Sequence, residues 1–162
     1  MIRYMTTEDA DNILDIYRQG LETGEASFET EVPVWADWNA KYHVFSRLVW
    51  EQNSAILGWA ALAPVSIRQC YLGVAEISIY VDINQQSRGL GNKLMAKLID
   101  ESEQNGIWTL YSSIFPENTA TRRLHIRHGF REVGIRERIA QRNNRWRDTL
   151  ILERRSSVNG VT

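Results

Sequence analysis

The run VAEISIYV, residues 74–81, is followed four residues later by QSRGLGNKLMAKLID, residues 86–100. A short apolar run of strand length meets a turn holding Gly89 and Gly91, and a row of Leu90, Leu94, Leu98 and Ser102 then repeats at helical spacing. A strand feeding a glycine turn feeding an amphipathic helix restricts the chain to layered folds in which helices cover a sheet. The junction also carries chemistry. Glycine lets the backbone take positive φ and come close to a ligand, and N–H groups at a helix start attract anions. The turn fits neither common nucleotide signature. Asn92-Lys93 follows the last glycine where a Walker loop needs Lys-Ser/Thr, and Leu94 stands where a dinucleotide fingerprint needs its third glycine. Taken alone, a glycine pair after a strand is more often just a tight turn.

The remaining segments supply the other layers. IRYM reads as a first strand. Thr6 and Asp9 form a capping-box-like helix start, and Ala10, Ile13, Leu14, Tyr17 and Leu21 share one helix face. Pro33 opens a second helix through VWADWNAKYHVFSR. RLVWEQ and AILGWAALAPV, joined by Asn53-Ser54, read as a hairpin. WTLYSSIF is a strand. NTATRRLHIRHGF is a helix capped by Asn118 and stopped at Gly129, with Phe130 placed for an apolar C-terminal contact. REVGIRERIA and WRDTLILER flank the turn QRNN. The order is β-α-α-β-β-β-α-β-α-β-β, a mixed sheet with helices on it, in the α/β or α+β class. One domain is expected over residues 1–155, and SSVNGVT, 156–162, is expected as a frayed tail with nothing to pack.

Composition excludes several functions. Lysine plus arginine number 19 against 20 acids, a formal net charge of -1, so no general nucleic-acid or membrane-surface partner is expected. The single cysteine, Cys70, rules out an internal disulfide and a zinc cluster, and no metal is expected. The amino terminus lacks the pattern of a signal peptide, and no apolar run reaches the ~20 residues of a membrane span. These features point to a cytoplasmic protein.

Two blocks give the chain a resemblance. Gln86-x-x-Gly89-x-Gly91, set between strand and helix, resembles the Arg/Gln-x-x-Gly-x-Gly/Ala motif of the GNAT superfamily of N-acetyltransferases. PENTATRRLHIRHGF resembles that family's second block, an Asn followed by Leu-His/Tyr-x-x-x-Gly-Phe. ASFET, VAEISIYV and NRWRDTLILER are similar to signatures of its phosphinothricin and methionine sulfoximine acetyltransferase branch. Gln86 stands where arginine is usual, and Ser87 where glycine is usual.

The resemblance implies a mostly antiparallel sheet, acetyl-CoA as co-substrate and a homodimer. It implies that the loop Gln86, Ser87, Arg88, Gly89, Leu90, Gly91 and Asn92 grips the pyrophosphate. It further implies that the backbone of Ile79, Tyr80 and Val81 pairs with the pantetheine arm, that Asn118 hydrogen-bonds this arm, and that Arg127 lies near the CoA phosphates. Phe28, Glu29 and Ser78 match positions around the acceptor pocket.

Amine acetylation needs a neutral amine, and an α-amino group has a pKa near ~8, so a base is useful. Glu76 interrupts a buried-looking strand. Such a carboxylate is costly unless its face is open, it is paired, or it is functional. The matching glutamate in the branch is regarded as the general base. His125 matches the position of a general acid toward the thiolate, or it positions water. Arg68, just before the strand, is either a fork for an amino-acid carboxylate or a surface arginine. Trp35, Trp38 and Trp146 are either core or interface. The reading is an N-acetyltransferase acting on a small amino-acid-like acceptor of the phosphinothricin, methionine sulfoximine or methionine sulfone type. The alternatives are an acceptor that is a protein N-terminus, a lysine or a polyamine, or a non-catalytic CoA-binding module.

Overall fold

The computed structural model describes residues 1–162. Its strands are β1 (Ile2–Tyr4), β2 (Leu48–Gln52), β3 (Ala55–Pro64), β4 (Val74–Val81), β5 (Thr109–Ile114), β6 (Arg131–Arg142) and β7 (Arg145–Arg155). Its α-helices are α1 (Ala10–Glu22), α2 (Trp35–Lys41), α3 (Leu90–Gln104) and α4 (Thr119–Arg127). Their sequence order is the one expected.

Alternation along the central strands sorts the core into two halves. On β3, Trp59, Ala61 and Ala63 join Ile13, Tyr17 and Leu21 of α1 and Trp38 of α2. Ala60 and Leu62 face the other way and join Leu94, Met95, Leu98 and Ile99 of α3. The row Leu90, Leu94, Leu98 and Ser102 is buried as its spacing requires. Each helix pair thus covers one face of a seven-stranded sheet of order β1-β2-β3-β4-β5-β7-β6.

Only β4 and β5 run parallel. A parallel pair needs a long crossover, which α3 provides. Their pairing is brief. Val74, Ala75 and Glu76 face Thr109, Leu110 and Tyr111, and nothing beyond is paired. On its other side, β4 pairs with β3 all the way to Val81. Past Glu76 the two parallel strands therefore diverge, and one edge of β4 is left without a strand partner.

Turns follow local chemistry. Asn53 and Ser54, and likewise Asn143 and Asn144, all take positive φ, as two-residue hairpins require. Gly129, at φ 85°, ends α4, and Phe130 N–H donates to the His125 carbonyl across the turn, the Schellman arrangement.

Two expectations need correction. The second helix stops at Lys41 rather than continuing to residue 47. The run Tyr42-His43-Val44-Phe45 is rich in weak helix formers, and His43 N–H instead donates to the Leu62 carbonyl of β3 at 2.8 Å. The carboxy-terminal segment also differs from a tail with nothing to pack. Ser156 is buried and its Oγ donates to Glu103, while Asn159 Nδ2 donates to the carbonyls of Glu103 and Ile107. These residues close the end of α3 and the start of β5. No helix is long and apolar enough to cross a membrane.

Candidate active site

The divergence of β4 and β5 opens a cleft of about 960 Å³. Because strand side chains alternate, its two mouths differ. Ile77, Ile79 and Val81 pack toward α3. Ser78 and Tyr80 point to the α1–α2 side, where Tyr42 Oη meets Ser78 Oγ at 3.1 Å and Tyr80 stacks on Trp59. Glu76 shares that side by register. The gap therefore runs through the sheet from one helical layer to the other.

Glu76 is half-buried and has neither an ion-pair nor a hydrogen-bond partner. Burial raises its carboxyl pKa above 4.5, and Lys41 opposes part of that rise. The carboxylate is thus unneutralised, lines the cleft, and has been made more basic.

On the α3–α4 side, Gly89 caps α3 in the left-handed region, φ 81°. A Cβ there would meet no protein atom within 4 Å, so the backbone faces open space at a helix start. Ser87 also takes positive φ, 64°. This explains physically why glycine suits that place, since a side chain there costs on the order of 1–2 kcal/mol. Gln86, Ser87, Gly89, Leu90 and Gly91 line the cleft, as do Ile79, Tyr80, Val81 and Asn118. Asn118 Oδ1 accepts the Thr121 N–H and caps α4, leaving its NH₂ free of protein partners. An unpaired strand edge, a free amide and a helix start in one groove fit a ligand with an amide-bearing arm and phosphates, as acetyl-CoA has.

His125 lines the same groove, nearly fully buried. Its Nδ1 lies 2.7 Å from the Thr121 carbonyl and its Nε2 2.8 Å from Ser112 Oγ. A carbonyl only accepts, so Nδ1 carries the proton and Nε2 accepts from the serine hydroxyl. Burial lowers the His125 pKa and keeps the ring neutral.

Four expected site residues lie outside the cleft lining. Arg88 donates to Gln85, and Asn92 Oδ1 pairs with the His128 ring. Arg127 is exposed on the last turn of α4. Arg68 is exposed and sits over the Tyr71 ring. Phe28, Glu29 and Ser78 do line it.

The structure adds residues the sequence did not single out. Lys41 and Tyr42 line the α1–α2 mouth. Ser112 partners His125. Arg147 lies over the Phe115 ring at 3.7 Å, donates to the Gly24 carbonyl and pairs with Glu25 and Glu117. Arg142 donates to the carbonyls of Leu21 and Ser27. These two arginines fasten the loop carrying Phe28 to the β6–β7 hairpin. The RWRD block was legible as a signature but not as a clamp, because the loop residues it holds, Gly24 and Glu25, lie more than a hundred residues away.

Residues 10–130 match the model of the acetyltransferase (GNAT) family. The chain belongs to the GNAT acetyltransferase family. It is 28% identical to the phosphinothricin N-acetyltransferase of Alcaligenes faecalis, over 99% of this chain and 85% of that protein. It is 27% identical to the L-methionine sulfoximine/L-methionine sulfone acetyltransferase of Pseudomonas aeruginosa, over 94% and 92%. Against the phosphinothricin N-acetyltransferase of Streptomyces coelicolor identity is 32%, but the match covers 64% of this chain and 60% of that protein. Among solved structures, a ribosomal-protein-alanine N-acetyltransferase from Brucella melitensis is 26% identical, with a TM-score of 0.87 over 96% of this chain and 99% of that one. A phosphinothricin acetyltransferase from Sinorhizobium meliloti, solved in complex with AcCoA, shares the fold at a TM-score of 0.89 and 23% identity, over 100% and 91%.

Proposed function

We propose that the chain transfers the acetyl group of acetyl-CoA to the primary amine of a small amino-acid-like acceptor of the phosphinothricin, methionine sulfoximine or methionine sulfone type. The observation that carries this reading is the unpaired, half-buried Glu76 at the point where the two parallel strands part. Acetyl-CoA supplies the thioester acetyl group that the amine takes as CoA is released. The β4 edge from Ile79 to Val81, the free amide of Asn118 and the turn at Gly89 hold its arm and phosphates. Glu76 takes the proton from the acceptor ammonium, directly or through water, so that a neutral amine attacks. His125, neutral and already donating its one proton to a backbone carbonyl, orients the Ser112 hydroxyl in the groove; it does not act as the acid for the thiolate.

Similarity to two curated acetyltransferases of the phosphinothricin and methionine sulfoximine kind over nearly the whole chain supports the acceptor class. The reading includes a cytoplasmic homodimer, for which the exposed apolar side chains of the β6–β7 hairpin are the support. The similarity to a ribosomal-protein-alanine N-acetyltransferase favours a second reading, in which the acceptor is a protein amino terminus. A CoA-release assay tests both. Methionine sulfoximine, methionine sulfone or phosphinothricin should lead a panel that also holds methionine, spermidine, a lysine peptide and an alanine-initiated peptide. Preference for the alanine-initiated peptide would replace the first reading by the second.

A further inference from the structure

On the α1–α2 side the cleft is lined by carboxylates and one cation. Glu25 and Glu117 are both held by Arg147. Glu29 and Glu76 remain unpaired, and Lys41 is the only lysine or arginine in the lining. Resting on the function just proposed, we propose that Lys41 is the anchor for the acceptor's carboxylate. The site would then select free α-amino acids over amines whose amine-bearing carbon has no carboxylate.

Lys41 is placed by a short chain of contacts. It is the last residue of α2, and its ammonium lies 5.3 Å from the centroid of the Tyr42 ring. Tyr42 is buried, and its hydroxyl is fixed on Ser78 at 3.1 Å. Ser78 stands two residues beyond Glu76 on the same face of β4. The ammonium makes no ion pair, yet it is near enough to oppose the rise in the Glu76 and Tyr17 pKa values. Other nearby cations are engaged elsewhere. Arg47 lies over Trp38 and donates to the Asn39, Tyr42 and His43 carbonyls. Arg142 and Arg147 hold the loop, and Arg68 sits on Tyr71 outside the cleft. With the reacting amine beside Glu76, a carboxylate on the same carbon is the group that an unpaired ammonium lining the same cleft would hold.

Steady-state kinetics of wild type, Lys41→Met and Lys41→Arg test this with two acceptors: methionine sulfone, and the amine that remains when its carboxylate is removed. Wild type should prefer the amino acid. Lys41→Met should raise its KM by roughly 10- to 100-fold, the worth of a hydrogen bond to a charged group. The loss should fall far more heavily on the amino acid than on the bare amine, acetyl-CoA affinity should hold, and Lys41→Arg should recover most of the loss. Equal losses on both acceptors would place Lys41 in the service of Glu76 and overturn the proposal. An unchanged amino-acid KM, or a wild type that prefers the bare amine, would overturn it too. If wild type releases no CoA with any acceptor, the parent reading fails, and titration of methionine sulfone into CoA-loaded protein decides the inference by itself. Binding lost in Lys41→Met upholds the carboxylate anchor; no binding, or binding indifferent to the substitution, refutes it.

Discussion

Glu76 couples stability to pH in a way that separates it from a surface carboxylate. Its folded pKa lies above 4.5 because burial disfavours the charged form. The folded state therefore holds the proton more tightly than the unfolded chain, and stability falls as pH rises from about 4.5 through the folded pKa. Glu76→Gln removes that slope. The variant should match wild type near pH 4 in thermal unfolding and exceed it at pH 7–8, while its rate falls by a factor on the order of 10² to 10⁴. The rate loss should shrink at high pH, where more amine is already neutral. A near-normal rate with an unchanged pH profile would remove Glu76 as the base. His125 has the opposite sign. Burial lowers its pKa below 6.5, so its contribution is complete above pH 6.5 and is lost as pH falls toward the folded pKa. His125→Phe orphans the buried Ser112 hydroxyl, which costs about 1–3 kcal/mol. Its expected signature is a lower melting temperature and a flatter acid limb, with a smaller rate loss than Glu76→Gln. A melting temperature equal to wild type with a rate as low as that of Glu76→Gln would instead make His125 the acid.

At the scale of elements, the decisive unit is the β4–turn–α3 junction. Gly89→Val places a β-branched side chain at φ 81° and into open space lining the cleft. No protein atom opposes the new methyl groups, so the fold should survive, with a strain on the order of 1–3 kcal/mol. Acetyl-CoA affinity, read by calorimetric titration of the folded variant, should drop steeply; wild-type affinity would remove this turn from the binding site. That junction was legible because strand, turn and helix are each written in adjacent residues. So was the capped helix from Asn118 to Gly129, down to the Phe130 contact. The second helix was overextended because its pattern continues through Tyr42 and Phe45, and only the tertiary bond from His43 to Leu62 shows where it ends. Glu76 stood out as a charge in an apolar strand. Lys41, Ser112 and the Arg147 clamp did not, since each acquires meaning only from partners distant in sequence. Arg68 showed the reverse: close to β4 in sequence, it lies outside the cleft in space.

Across the whole molecule, the sheet ends on one side in the β6–β7 hairpin, with β6 outermost. Four exposed apolar side chains lie on it: Val133, Ile135, Ile139 and Trp146 are 47%, 58%, 49% and 58% exposed, and a second copy seated on them would remove them from water. Trp38 is fully buried and Trp35 is half-buried and stacks on it, so of the three candidate interface tryptophans Trp146 is the most exposed. The edge backbone is poorly suited to regular strand addition. Register breaks fall between Glu132 and Gly134 and between Arg136 and Ala140, and such bulges discourage edge-to-edge pairing. A second copy would therefore cover the side chains rather than extend the ladder. The same hairpin holds the loop of Phe28 through Arg142 and Arg147, so covering it would also stiffen the acceptor mouth. Sedimentation of the wild type should give twice the monomer mass. The double variant Ile135→Arg/Ile139→Arg should sediment as a folded monomer, since both residues are exposed and neither belongs to the core. Its acceptor KM should rise while its affinity for acetyl-CoA stays unchanged. A monomeric wild type would exclude the dimer. A double variant that stays dimeric would move the interface away from this hairpin, and one that becomes monomeric with an unaltered acceptor KM would separate assembly from the acceptor mouth.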